Sequence, residues 1–261
     1  MCYNAVVINR KPKTLDRDIR KEIIGYMQTN KDGYGVLRDD EIIRILDREE
    51  AVKFINKKVK CRVLHVHFRQ ATSGSITVDN VHLWRHNNFY FSHNGTVMKY
   101  SRHIYPYINF TSDRIETGDL STCDLSDSRL MFSSKEFQRH FSKVVKEITA
   151  GNNNAKAVKS VKAIYNYLTS IGFYGIIMST NTDYAVIISN KKFYTYYHKG
   201  AIVFSNMPLN LGGTEINGIH FRYEVQYSGV VVYSIKDNRL LFNMEHEPYN
   251  LFYKGWYTYE V

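Results

Sequence analysis

The chain has few of the residues that staple, kink or anchor a protein: three cysteines, four prolines and two tryptophans in 261 residues. Cys2, Cys61 and Cys123 are an odd, widely spaced set with no C-x-x-C, so neither a disulfide framework nor a zinc knuckle is indicated. No apolar run approaches the roughly 20 residues of a membrane span. The opening Met1-Cys2-Tyr3-Asn4-Ala5-Val6-Val7-Ile8 has neither a basic leader nor a signal-length apolar stretch. These absences lead us to expect a cytoplasmic chain with its natural N-terminus and no membrane partner. There is also no G-x-x-x-x-G-K-[ST] phosphate loop, internal repeat or low-complexity tract.

What is present supports a large core, with 44% hydrophobic and 14% aromatic residues. At roughly 150 residues per domain the length fits one large domain or two small ones. The clearest break, Gly151-Asn152-Asn153-Asn154, is too short for a linker, so a single domain over 1–261 is expected. Thirty-five Lys and Arg against 25 Asp and Glu leave +10. That charge permits an acidic partner such as nucleic acid without requiring one.

Cys2 to Ile8 reads as a buried strand ended by a turn at Arg10-Lys11-Pro12-Lys13. Thr14 is placed to cap a helix whose Leu15, Ile19, Ile23 and Tyr26 recur at helical steps. A strand at Gly35–Leu37, a polar hairpin around Asp39-Asp40 and a basic helix over Arg48–Lys58 follow. In the next strand, Arg62–Phe68, alternation puts Val63, His65 and His67 on one face and Leu64, Val66 and Phe68 on the other. Gln70–Asn80 reads as loop, and a strand from Phe89 ends in Asn94-Gly95, a pair typical of hairpin turns. Tyr105–Asp124 is irregular and polar. A helical stretch over Ser126–Ile148 carries a Ser133-x-x-Glu136 capping box that could split it, and a second helix stops at Gly172. Beyond Phe173 the pattern is all strand: 175–179, 184–189, 193–197, 201–205, 219–223, 229–234 and 240–242. Strands, two helices, then strands again suggest layered sheets between outer helices in an α+β unit.

Cys2 is the most informative residue. If Met1 is removed before it, one residue holds both a thiol and a free α-amine. Their reference pKa values, about 8.5 and about 8, let the amine take the thiol proton directly or through a water. Downstream stand His67-Phe68-Arg69-Gln70-Ala71-Thr72-Ser73-Gly74, His93-Asn94-Gly95 and Ser126-Asp127-Ser128. With Cys2, their order and spacing resemble the class II glutamine amidotransferases, whose N-terminal cysteine makes them N-terminal-nucleophile (Ntn) hydrolases. Asp32-Gly33-Tyr34-Gly35 looks like the family's Asp-Gly-aromatic-Gly turn, and Phe204-Ser205-Asn206-Met207-Pro208-Leu209 is similar to a late segment of its smaller members. Clear matches run from Cys2 to about Leu130.

The resemblance implies a four-layer αββα sandwich of two antiparallel sheets between helix layers, with no cofactor and no metal. It also implies a glutaminase that passes through a γ-glutamyl thioester on Cys2 and releases glutamate and ammonia. Glutamine needs a cation for its α-carboxylate, an anion for its α-ammonium and an oxyanion hole for its side-chain amide. Arg69 suits the carboxylate and Asp127 the ammonium, the roles the resemblance also implies. The Asn94 amide and the Gly95 N–H suit the oxyanion, and Thr72 is a further substrate contact. Nothing after Leu130 resembles an ammonia-using domain, so a separate synthetase or transferase is the expected partner.

Three departures bear on substrate details: Tyr3 follows the nucleophile where a small residue is common, Ser73 stands where many members carry histidine or another polar residue, and Arg129 replaces a usual acid. A rival Ntn reading is an amidase for another γ-glutamyl or amide compound. Outside that mechanism, His65, His67, His82 and His93 could assemble a zinc site, though no acidic ligand supports it. Lys53–Arg62 with the 21 tyrosines could grip nucleic acid; those lysines read more simply as a solvated helix end.

Overall fold

Alternation along the first strand sets the layers. In β1 (Tyr3–Lys13), Tyr3, Ala5 and Val7 point one way and Val6 and Ile8 the other, and both sets are buried. A strand without a wet face must lie between two covering layers. The structure, a computed structural model, describes residues 2–72, 74–100, 125–150, 154–211, 215–216, 219–220, 224–226 and 229–245. Met1, Ser73, Cys123, the polar stretch to Asp124 and the 151–153 break lie outside these.

After β1 come α1 (Arg17–Gly25), β2 (Tyr34–Arg38), β3 (Glu41–Ile45), α2 (Arg48–Asn56), β4 (Cys61–Phe68), β5 (Trp84–His86) and β6 (Phe89–Val97). The middle is helical: α3 (Asp127–Ser133), α4 (Lys135–Thr149) and α5 (Asn154–Ser170). The rest is strand: β7 (Phe173–Thr180), β8 (Tyr184–Ser189), β9 (Phe193–His198), β10 (Ala201–Ser205), β11 (Glu215–Ile216), β12 (Ile219–His220), β13 (Glu224–Gln226), β14 (Gly229–Ser234) and β15 (Arg239–Glu245).

Among the described residues, one sheet runs β13-β9-β10-β1-β4-β2-β3 and the other β15-β14-β8-β7-β6-β5, both antiparallel, and β11 pairs β12 apart from them. Three apolar clusters fill the gaps. Ile19, Ile23, Phe54 and Ile55 of the first helices pack on Ala5, Val7, Leu64 and Val66. Val6, Ile8, Val63 and Phe204 meet Ile176, Met178 and Ile187 between the sheets. Phe132, Phe137, Phe141, Val161 and Ile164 cover Phe91, Ile177, Val186 and Val232. The result is the four-layer αββα sandwich expected.

Local corrections have physical causes. β1 does not turn at Arg10–Lys13 but continues to pair Lys13 with Cys61 across a register shift after Ile8; the irregular stretch tolerates Pro12, which has no N–H for a ladder. Asp16, not Thr14, caps α1, accepting from the N–H groups of Asp18 and Ile19. The long helical stretch does split, but the second cap is Ser134, which accepts from Phe137 N at 3.2 Å. The strand expected at 219–223 is described only as Ile219–His220. Strand β6 runs through Asn94-Gly95 to Val97 instead of turning there. None of the described helices is long and apolar enough to cross a membrane.

Candidate active site

The N-terminal end of β1 is fastened on both sides. Asn206 clamps it, accepting from Asn4 N at 2.7 Å and donating Nδ2 to the Cys2 carbonyl at 2.9 Å. On the other side, Gln70 N donates to the Cys2 Sγ at 3.3 Å, and the thiol faces the Gln70 carbonyl at 3.5 Å. Cys2 is partly exposed as a residue. Burial of its thiol pushes the pKa up, while the Gln70 N–H and the nearby Arg69 charge pull it down and Asp127 raises it. Cys2, Arg69 and Asp127 therefore share one electrostatic neighbourhood.

A buried polar layer between the sheets shows what Cys2 faces. In β4, His65 lies opposite Val6 and His67 opposite Asn4. The His65 ring meets Thr180 Oγ1 at 2.9 Å and Ser92 Oγ at 2.7 Å, and Ser92 Oγ donates to Asn4 Oδ1 at 2.7 Å. One step nearer the strand end, His67 Nε2 lies 3.1 Å from the His93 carbonyl. Stepping from His65 to His67 on one sheet thus steps from Ser92 to His93 on the other, and Cys2 and Arg69 follow at the end toward which Asn94 and Gly95 continue β6. Ser92 points into this layer, so alternation turns Asn94 inward with it. Asn94 is buried at 3% exposure, and its amide has no hydrogen-bond partner among the described residues.

The Gly95 N–H is oriented by the same alternation. Gly175, its partner in β7, directs its own N–H to Asn190 Oδ1 at 2.7 Å and accepts from Asn190 N at 3.1 Å, away from β6. On the opposite edge of β6, His93 N donates to His82 Nδ1 at 3.1 Å and Val97 N to Asp127 Oδ2 at 2.8 Å. Gly95 lies between these two, so its N–H faces this edge. Both glycines are needed for the approach. A Cβ on Gly95 would lie 2.0 Å from the Tyr174 carbonyl, and one on Gly175 2.4 Å from the Asn94 carbonyl.

Arg69 leaves β4 with its backbone N–H bonded to the Gly33 carbonyl at 2.8 Å, while Asp32 N donates to the Arg69 carbonyl at 3.0 Å. Asp32 Oδ2 accepts from Ala71 N at 2.7 Å. The Asp32-Gly33-Tyr34-Gly35 turn thereby staples the segment after the strand. A Cβ on Gly35 would come 2.5 Å from the His82 carbonyl, so this turn also packs on the histidine layer. The buried guanidinium donates to the carbonyls of Ser75 at 2.9 Å and Gly74 at 3.2 Å. Asp127, first residue of α3, accepts from Val97 N and Ser128 N, each at 2.8 Å. Burial pushes its carboxyl up, and those N–H groups, the Ser128 hydroxyl and Arg69 pull it back. Thr72 is exposed and makes no hydrogen bond among the described residues.

The histidines do not gather as metal ligands; among the described residues the one such cluster is Asp16, Asp18 and His198. Facing a carbonyl, His67 Nε2 must carry a proton, which leaves its Nδ1 as a buried acceptor without a partner. His82 Nδ1 accepts, so it must be bare. The two rings stack at 3.6 Å. Burial keeps all four neutral: His65 and His93 fall to about 3, and His67 and His82 well below the usual value. Both backbone groups of His93, the residue before Asn94, are therefore held by neutral imidazoles.

Sequence reasoning left out His67, His82 and Asn206 as positioning residues, although Asn206 stood in a quoted segment. Tyr3 lies on the helix side, stacked on Tyr26 at 4.3 Å; it alters packing and does not narrow the site. Arg129 pairs with Asp79 at 3.4 Å and donates to its carbonyl at 2.7 Å, fixing the end of the loop that Arg69 holds. Cys61 is buried with its thiol pushed up to about 11, as fits a structural thiol. Lys57, just past α2, pairs with Glu41 at 3.2 Å on the surface.

The same architecture occurs in known enzymes. Glutamine phosphoribosylpyrophosphate amidotransferase from B. subtilis, solved with ADP and GMP, superposes with a TM-score of 0.55 at 12% identity, over 94% of this chain and 49% of that one. The allosteric regulatory enzyme of purine biosynthesis gives 0.54 at 12%, over 89% and 47%. A glutamine aminotransferase class-II domain protein from Silicibacter pomeroyi gives 0.49 at 11%, over 89% and 94%. The chain spans about half the length of the first two. No protein-family model and no curated protein matches the sequence. With the first two enzymes the chain shares its fold, two antiparallel sheets between helix layers.

Proposed function

We propose that the chain hydrolyses the side-chain amide of glutamine at Cys2 and supplies the ammonia to a separate synthetase or transferase. The observation that carries this reading is a buried Asn94 amide, without a hydrogen-bond partner among the described residues, beside the edge-facing Gly95 N–H, in a chain whose Cys2 thiol shares its electrostatic surroundings with Arg69 and Asp127. With Met1 removed, the Cys2 amine takes the thiol proton and Sγ attacks the amide carbon. The oxyanion forms between the Asn94 amide and the Gly95 N–H. As the intermediate collapses, the C–N bond breaks and the amine's proton passes to the leaving nitrogen, releasing ammonia. Water then cleaves the γ-glutamyl thioester to glutamate and restores the thiol. Arg69 holds the substrate carboxylate, Asp127 the ammonium, and Thr72 contributes a contact from the loop.

The partner enzyme is favoured by two exposed apolar side chains on the loop that Arg69 holds, Ile76 and Val78, 56% and 42% exposed. These two side chains are the contact that a docked acceptor is expected to cover. The reading is tested by intact mass before and after 6-diazo-5-oxo-norleucine, a glutamine-shaped electrophile. Loss of Met1 and a single adduct, absent in Cys2→Ala, is expected. A retained Met1 would remove the proposed base and overturn the mechanism. A processed but unlabelled Cys2 would move the assignment to another amide substrate.

A further inference from the structure

At the far end of the sandwich, a cavity of about 410 Å³ opens between the β9–β10 hairpin of one sheet and the β14–β15 hairpin of the other. Arg10 lines it, eight residues along β1 from Cys2. At about 3.3 Å per residue that is roughly 26 Å from the thiol, so this is a separate place on the molecule. Its volume lies within the range of small-molecule sites, about 300–1,000 Å³.

The lining has two characters. Ile202 and Tyr233 form apolar wall, and Tyr197 and Leu240 stand 46% and 51% exposed over it. The charged lining is cationic, with no carboxylate. Lys199 is already satisfied by Asp18 at 2.6 Å and Asp16 at 3.4 Å, and His198 lies 3.3 Å from Asp16. Arg10 and Arg239 are different: neither side chain has an ion pair or hydrogen bond among the described residues. Arg62, which donates to the Lys236 carbonyl at 3.2 Å, adds its charge near the Tyr233 hydroxyl, as Arg10 does. Guanidinium forks with no partner among the described residues, lining one cavity with tyrosine rings, match a ligand with a planar ring and a phosphate, the forks taking the oxygens and the tyrosines the ring.

We propose that this cavity is a second binding site, for an aromatic phosphate of the nucleoside-monophosphate kind. It does not depend on the chemistry at Cys2. The test is calorimetric titration of the full chain with AMP, and with adenosine and inorganic phosphate as its two halves. AMP binds at least about tenfold tighter than either half. Arg10→Ala with Arg239→Ala weakens AMP about tenfold or more, Tyr197→Ala weakens it less, and Cys2→Ala leaves it unchanged. Both arginines are exposed, and the Arg10 backbone bond to Gly200 survives the change, so an unaltered circular dichroism spectrum is expected of the double variant. No AMP binding by the wild type, or AMP binding no tighter than phosphate, overturns the proposal. So does AMP binding that the double variant keeps or Cys2→Ala loses.

Discussion

Four buried neutral histidines between and beside the sheets should make the protein sensitive to mild acid. His65 and His93 have folded pKa values of about 3, and burial holds His67 and His82 well below 6.5. In the unfolded chain each takes a proton near pH 6.5. Below that pH the unfolded state binds more protons, so stability is complete above about 6.5 and is lost as the pH falls toward 3. Each histidine contributes about 1.4 kcal/mol between pH 7.5 and 5.5, and four contribute about 5 kcal/mol. That is comparable with the whole stability of an ordinary domain, about 5–15 kcal/mol. Asp127, raised by burial, acts with the opposite sign, but it is one group and titrates from a lower starting value. Urea unfolding at the two pH values should show a much lower midpoint at 5.5 with a similar slope. His65→Gln, which removes one titrating ring, should shrink the loss by about a quarter. A midpoint unchanged between pH 7.5 and 5.5 would refute the assignment of these rings as buried and neutral.

Further expectations concern the site. Asn94→Ala removes one oxyanion donor and should lower glutamine turnover by about a hundredfold or more with KM little changed; steady-state ammonia release checks it, and a loss confined to KM would contradict the role. Gly175→Ala places a Cβ 2.4 Å from the Asn94 carbonyl and 2.6 Å from His93 Nε2, so denaturant unfolding should show about 1–3 kcal/mol of destabilisation together with reduced turnover; wild-type stability would mean that the strands part without strain. Asn206→Ala leaves the Asn4 N–H and the Cys2 carbonyl without their partner, costing about 1–3 kcal/mol and slowing labelling of Cys2. Labelling at the wild-type rate would show that the clamp does not position the thiol.

Strands were legible where apolar residues alternate or run together, so 184–189, 201–205 and 229–234 were placed to the residue. The misjudged boundaries lay where local chemistry and tertiary packing disagree. Asn94-Gly95 carries the local signature of a hairpin, but Gly175 lies opposite and lets the two backbones close, so the strand continues. Pro12 reads as an ending, yet the register shift in β1 carries it through. Thr14 and Asp16 are both competent caps, and the start of the helix at Arg17 selects the one with oxygens in reach of its N–H groups.

The sequence by itself determined the nucleophile candidate, the order of the site segments and the double burial of β1, because residue type and period-two alternation are local properties. Tertiary structure alone decided which groups face Cys2. Asn206 clamps from 204 residues away, and His67 and His82 grip His93 from two different segments. Such partners are set by sheet order and by the stacking of one sheet on the other, and no short window of residues contains that information.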